Sequence, residues 1–252
     1  MNDLVHTTTM KFSIITATFN AAQHLPKLVV SLRQQTDKDF EWVVMDGGST
    51  DGTVELLSNL GDLPLVWRSE PDFGIYDALN KAIKLCKGAF YLVVGADDVL
   101  EPATVANYKA LGVATGADIL TAATDYGSRI GVIATPRGPS WLMGQRAFVT
   151  GHAVGSVYRK SLHEIVGVGF YSKAYQISAD QLFVKRAVQS GASVAVGNFL
   201  AGRLGEEGVS TIDVAGRLTE FFRVQLQTER CKSLQVLLFV LRMIRDFPNL
   251  VR

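Results

Sequence analysis

The chain has few cysteines, almost no net charge and no long apolar run, and each shortage closes off a class of function. Cys86 and Cys231 are the only two cysteines in 252 residues. They lie far apart and lack metal-ligand spacing, so a reducing compartment is the default and both read as core thiols rather than catalytic ones. A formal net charge of +1 argues against a nucleic-acid binder working through overall electrostatics. No stretch reaches the roughly 18–20 apolar residues that a bilayer-spanning helix needs. Met1–Met10 is polar and Thr-rich, without the charged-then-apolar order of a secretory signal, and is expected to be a disordered tail. No repeat or low-complexity tract is present. Hydrophobic content of 48% and charged content of 19% are near globular averages, which excludes wholesale disorder.

What the chain does have is a recurring pairing of an apolar run with acidic residues. Phe90-Tyr91-Leu92-Val93-Val94-Gly95 ends at Asp97-Asp98, and Phe40-Glu41-Trp42-Val43-Val44-Met45 runs into Asp46-Gly47-Gly48-Ser49-Thr50-Asp51-Gly52-Thr53. Phe12–Thr18 runs into Phe19-Asn20, and Leu65–Arg68 leads to Ser69-Glu70-Pro71-Asp72. Helical patterns over Leu25–Gln35, Thr53–Leu60 and Ile75–Leu85 separate these runs. The order β-α-β-α-β-α-β predicts a parallel sheet with right-handed crossovers, whose strand ends open on one rim. Thr18, Asp46, Glu70, Asp72, Asp97 and Asp98 would converge there. Two adjacent carboxylates repel unless a cation or hydrogen-bond donors lie between them. Their hard oxygens suit Mg²⁺ or Mn²⁺, ions that commonly accompany a diphosphate.

The four segments Ser13–Asn20, Asp46–Thr53, Ser69–Asp72 and Gly95–Asp98, in that order and spacing, resemble family 2 glycosyltransferases. These are inverting enzymes with a GT-A, Rossmann-like nucleotide-sugar-binding fold. Glu70–Lys81 is most similar to the bacterial subgroup that builds colanic-acid, capsule and exopolysaccharide repeats. The resemblance implies an α/β fold, with a mostly parallel central sheet flanked by helices and a C-terminal helical extension. It implies that Asp46 and the backbone around Thr16–Thr18 recognise the base, that Asp97 contacts ribose or sugar, and that Asp98 holds a divalent cation. Glu70 and Asp72 would shape the loop near base and diphosphate; turn and N-cap chemistry before the Ile75 helix is an equal reading. Thr50 and Asp51 read as structural, fixing the Gly-rich turn.

Glycosyl transfer also needs a base for the acceptor hydroxyl and stabilisation for the departing diphosphate. Asp180 opens a helical pattern through Val184, Ala187 and Val188, where the helix dipole favours a carboxylate. An ordinary N-cap fits the same position, and the resemblance is what favours Asp180 as the base. Asp77, Asp118, Asp125, Glu164, Glu206 and Glu207 are weaker rivals. Relatives often carry His-Gln where this chain has His152-Ala153, so His152 is a candidate diphosphate contact. They also commonly carry Gly-Gly-Val-Ser where this chain has Glu206-Glu207-Gly208-Val209-Ser210, and Arg203 could offset those glutamates or meet the diphosphate.

Residues 11–100 are expected to form the nucleotide-sugar half, 101–210 the acceptor half of the same domain, and 211–252 one or two helices. Strands are expected at Asp118–Thr124 and Ile130–Ala134. Leu234–Arg245 is strongly apolar, flanked by Arg230, Lys232, Arg242, Arg245 and Arg252, with Pro248 as its expected end. It would pack on the domain or a second subunit, or lie on an anionic membrane surface. The expected activity is transfer from a nucleotide sugar, a UDP-sugar for preference, to a saccharide or lipid-linked saccharide in surface-polysaccharide synthesis, in the cytoplasm or at the inner membrane face. A degenerate sugar-nucleotide-binding protein is one rival. A nucleotidyltransferase is the other, though it would need a catalytic Lys or Arg where Phe19-Asn20-Ala21-Ala22-Gln23 stands.

Overall fold

The structure is a computed structural model that describes residues 10–127, 131–133, 138–205 and 213–250. Strands β1 (Phe12–Thr18), β2 (Glu41–Asp46), β3 (Leu65–Ser69) and β4 (Phe90–Val93) alternate with helices α1 (Leu25–Arg33), α2 (Thr53–Ser58) and α3 (Ile75–Leu85). The strands pair in parallel in the order β3-β2-β1-β4. β1, β2 and β4 are near-continuous apolar runs because helices cover both faces of the sheet. Alternation along each strand divides the core in two. Ile14, Trp42 and Leu92 pack with Leu25, Leu28 and Leu32 of α1. Ile15, Val43 and Met45 face Ala78, Leu79 and Ile83 of α3.

The second half extends the same sheet. It contributes β5 (Val99–Leu100), α4 (Thr104–Thr115), β6 (Ile119–Asp125), β7 (Val132–Ile133), α5 (Ser140–Met143), β8 (Ser156–Arg159), α6 (Ala179–Gln189) and β9 (Val194–Arg203). The full order is β3-β2-β1-β4-β8-β6-β9-β5, with β7 beside β6. β8 runs antiparallel between β4 and β6, β9 runs parallel to β6, and β5 pairs antiparallel with β9. β5 directly follows Asp98, yet its partner is Gly202–Arg203 at the far end of the order. The sheet therefore curls, and register shifts between Thr121 and Thr124 accompany the bend. The curl carries Gly205 onto the end of β4.

Two helices complete the chain: α7 (Val214–Thr228) and α8 (Lys232–Leu250). α8 continues through Pro248 to Leu250 instead of ending there, at the loss of the one i→i−4 bond that the proline nitrogen cannot donate. α1 stops at Arg33, two residues short of expectation. Gln35 leaves the helix to donate its Nε2 to the Ser31 and Glu101 carbonyls at 3.1 and 2.9 Å. The strand expected over 130–134 narrows to Val132–Ile133, with residues 130 and 134 outside the described set.

Candidate active site

Asp46 closes β2 opposite Thr18 of β1 and is 1% exposed. Its Oδ1 accepts from Thr18 Oγ1 at 3.0 Å and from Ser49 Oγ at 2.5 Å. Its Oδ2 accepts from Ser69 Oγ at 2.6 Å and from the Gly48 and Ser49 amides at 3.1 and 2.9 Å. Burial pushes this carboxyl upward, but the Ser49 and Ser69 hydroxyls, the Ser49 amide and the Thr18 hydroxyl outweigh it and hold the acid below its ordinary value. A carboxylate offers about four lone-pair sites, so a ligand N–H reaching Asp46 must displace or share one of these hydroxyls. Thr16 lies one layer deeper: its hydroxyl is fully buried and accepts from Trp42 Nε1 at 3.0 Å.

The Gly-rich turn after Asp46 is tied to the loop after β1. Asp51 Oδ2 accepts from the Ala22 amide at 2.9 Å and its Oδ1 from Thr53 Oγ1 at 2.6 Å, the structural part expected of it. Asn20, left-handed at φ 48°, accepts from the Thr50 amide at 3.0 Å. Asp72 Oδ1 caps the Gly74 amide at 2.8 Å, and its Oδ2 would lie 2.8 Å from a Cβ at Gly47, so any larger residue there would have to displace this carboxylate. Phe19 borders the same glycine with its ring 67% exposed. Glu70 points aside and pairs with Lys81 at 2.8 Å.

The structure separates the two acids at the end of β4. Asp98 is 2% exposed, and its oxygens accept the amides of Gly95 at 2.7 Å and Gly205 at 2.9 Å. Burial raises its pKa, and nearby His152 draws it back. Asp97 is half-buried and lines an open cleft of about 490 Å³ with Lys27, Arg203 and Gly205. The adjacent carboxylate expected to face a cation is therefore turned to backbone, while its neighbour faces the cleft. A Mg²⁺- or Mn²⁺-diphosphate site takes one or two protein carboxylates and completes its shell with phosphate and water. One accessible hard carboxylate fits that requirement. Among the described residues no group of three metal-ligating side chains converges.

Asp180 sits in the first turn of α6. Its Oδ1 lies 2.9 Å from Tyr76 Oη and its Oδ2 accepts from Gln145 Nε2 at 3.0 Å. Burial pushes its pKa up, and these two donors only partly offset that. His152, before β8, lies close enough to act electrostatically on both Asp180 and Asp98. Its Nδ1 accepts from the Val154 amide at 3.4 Å, and its ring meets Tyr126 edge-on at 6.1 Å. The rival acids are otherwise engaged. Asp77 pairs with Lys173 at 2.6 Å, Asp118 with Arg159 at 2.8 Å, and Asp125 with Arg203 at 3.0 Å. Glu164 lines a separate cavity with Asp118, and Glu206 and Glu207 lie outside the described residues.

Tyr76, Gln145 and Phe19 were not singled out by their sequence positions. Tyr76 hides inside an amphipathic helix pattern, Gln145 lies in a single 3₁₀ turn (Gly144–Ala147), and Phe19 follows a strand like any rim residue. An aromatic directly after the first strand was the available signal for Phe19.

Residues 13–152, more than half of the chain, match glycosyl transferase family 2. The chain belongs to that family. A Mycobacterium tuberculosis glycosyltransferase whose function is uncharacterised is 33% identical over 182 residues, covering 69% of this chain and 68% of its own length. A PGL/p-HBAD biosynthesis glycosyltransferase of the same species is 44% identical over 93 residues; the match covers 35% of this chain and 36% of that relative's length. Among solved structures, Staphylococcus aureus TarS 1–349 in complex with UDP-GlcNAc superposes with a TM-score of 0.69 at 21% identity, over 95% of this chain and 73% of TarS 1–349. A Pyrobaculum calidifontis mannosyltransferase in complex with GDP-Man and Mn²⁺ gives 0.62 at 18% identity, over 95% and 66%. The protein is a glycosyltransferase, and its mostly parallel sheet with C-terminal helices has the GT-A architecture.

Proposed function

We propose that this glycosyltransferase inverts the anomeric centre, drawing on a UDP-sugar and a divalent cation to extend a lipid-linked saccharide in surface-polysaccharide synthesis. The observation that carries the reading is the Asp180 carboxylate, half-buried in the first turn of α6 and held by Tyr76 at 2.9 Å and Gln145 at 3.0 Å. Its surroundings raise its pKa, which suits a group that must accept a proton. Asp180 takes the proton of the acceptor hydroxyl as that oxygen attacks the anomeric carbon and the nucleoside diphosphate departs from the opposite face. Tyr76 and Gln145 hold the carboxylate in aim.

On the donor side, Asp46 receives the imide N–H of the base once a rim hydroxyl rotates away, and Phe19 offers its exposed face for stacking. Asp97 is the better placed of the pair for Mn²⁺ or Mg²⁺, with Asp98 fixing the loop behind it. A bound cation would neutralise charge on the diphosphate. Arg203, paired with Asp125, lines the same cleft and would add hydrogen-bond donors, and His152 would contact the diphosphate. The ligands named for the two solved relatives, a UDP-sugar and a GDP-sugar with Mn²⁺, support a nucleotide-sugar donor and a cation. The relatives named for PGL/p-HBAD biosynthesis and chondroitin synthesis support a saccharide product.

A panel of UDP, GDP and dTDP with and without Mn²⁺, read by thermal stabilisation, tests the nucleotide. We expect UDP with Mn²⁺ to raise the melting temperature most, followed by slow hydrolysis of one UDP-sugar. Equal or greater stabilisation by GDP would overturn the assignment of the base.

A further inference from the structure

The family match ends at residue 152, yet the helices beyond residue 212 touch both segments that carry the base and its partner. Asp180 follows the stretch Gln176–Ser178, whose three amides donate to Glu220 of α7 at 2.7, 2.8 and 2.8 Å. Gln145 follows α5, whose carbonyls are held from the same two helices. Gln225 Nε2 donates to the Ser140 and Trp141 carbonyls at 3.0 and 2.8 Å, and Gln235 Nε2 to that of Trp141 at 3.0 Å. Arg242 Nη2 donates to the Leu142 carbonyl at 2.8 Å. Gln225 and Gln235 are fully buried, so these amides are committed to the grip and not to solvent. Gly144, left-handed at φ 61°, lets the chain turn from α5 into the segment bearing Gln145; a Cβ there would stand 2.7 Å from Phe221 of α7.

We propose that Gln145 is a positioning residue for the catalytic base, and that α7 and α8 form the clamp that holds Gln145 and Asp180 in register. Gln145 is 5% exposed, donates to Asp180 Oδ2, and leaves its own Oε1 without a partner among the described residues. A buried amide held so, with one end unmatched, is spent on aim rather than on stability. An N–H donated to the ionised carboxylate favours that form, so Gln145 opposes the upward push of burial. The other titratable groups around Asp180 are Tyr76 of α3, His152, Tyr126, Tyr158 of β8 and Tyr171. Burial holds the four phenols above their ordinary range, which leaves them neutral where the base titrates.

The inference rests on Asp180 being the base, and the variants separate the two claims. With the donor identified by the panel, nucleoside diphosphate release is followed against pH for wild type, Asp180→Asn, Gln145→Leu and Glu220→Gln. We expect Gln145→Leu to lower kcat by about 10- to 100-fold, the rate equivalent of one hydrogen bond to a charged group, with donor KM nearly unchanged. Its acid limb should move to higher pH, because Asp180 without this donor protonates sooner. Glu220→Gln should change kcat and the limb in the same direction but less, with nucleotide affinity intact. Should Gln145→Leu fail to fold, Gln145→Asn keeps the amide one methylene short and serves in its place. An unshifted limb and full kcat in the Gln145 variant, while Asp180→Asn is impaired, would overturn the positioning role alone. Full activity in Asp180→Asn would instead overturn the base itself.

Discussion

Asp97 and Asp98 are neighbours in sequence with opposite environments, and the contrast sets what each can do. The adjacency of two carboxylates after an apolar strand marked the site. Which of them faces the ligand depends on Gly205, more than a hundred residues away, whose amide claims Asp98. No local pattern carries that information. Asp97→Asn should abolish the gain in UDP affinity that Mn²⁺ provides while leaving the melting temperature close to wild type. Asp98→Asn should instead lower stability by roughly 1–3 kcal/mol, because its amide nitrogen would meet a backbone N–H that needs an acceptor. Calorimetric titration with and without Mn²⁺, alongside thermal melts, checks both. A cation response retained in Asp97→Asn and lost in a fully stable Asp98→Asn would return the cation to Asp98.

Helix α8 shows what an element's sequence leaves open. Its apolar composition and flanking basic residues were evident, and they suited packing on the domain or a second subunit as well as an anionic membrane surface. Arg242 turns inward to the Leu142 carbonyl and the Phe221 ring, and Arg245 pairs with Asp246 at 2.8 Å. The outward face instead carries Val236, Leu237, Val240, Leu241, Ile244 and Phe247, each 48–67% exposed. Such a stripe is wider than the two-position seam of a helix pair, and it suits insertion into a lipid surface. Leu237→Gln with Ile244→Gln should release the enzyme from anionic vesicles in a sedimentation assay, with solution donor hydrolysis unchanged. Exposed positions of this kind change stability by less than about 0.5 kcal/mol. A wild type that ignores vesicles but dimerises, and a double variant that is monomeric, would assign the stripe to a second copy.

At the level of the molecule, the first half was legible because it is built from short, uniform units. β1, β2 and β4 are near-continuous apolar runs, and β2, β3 and β4 lead into acidic or Gly-rich turns, so the order of these segments predicted the topology. The second half resisted for physical reasons. β8 has only four residues, β9 is partly exposed along most of its length, and β5 has two residues paired with a distant strand. Their places follow from closure of the curled sheet, a tertiary property. The site inherits the same division: Asp46 and the Asp97-Asp98 pair could be read from the chain, whereas Tyr76 and Gln145 are partners only once α3, the 3₁₀ turn and α6 meet. Asp180 stands at that junction, so it is where the account is most exposed to test. The direct measurement is the sugar-transfer rate of Asp180→Asn together with its UDP affinity. The account predicts a rate about 10²- to 10⁴-fold below wild type, loss of the acid limb and nearly unchanged UDP binding, as for a positioned base. Full transfer by that variant, with the acid limb intact, would contradict it.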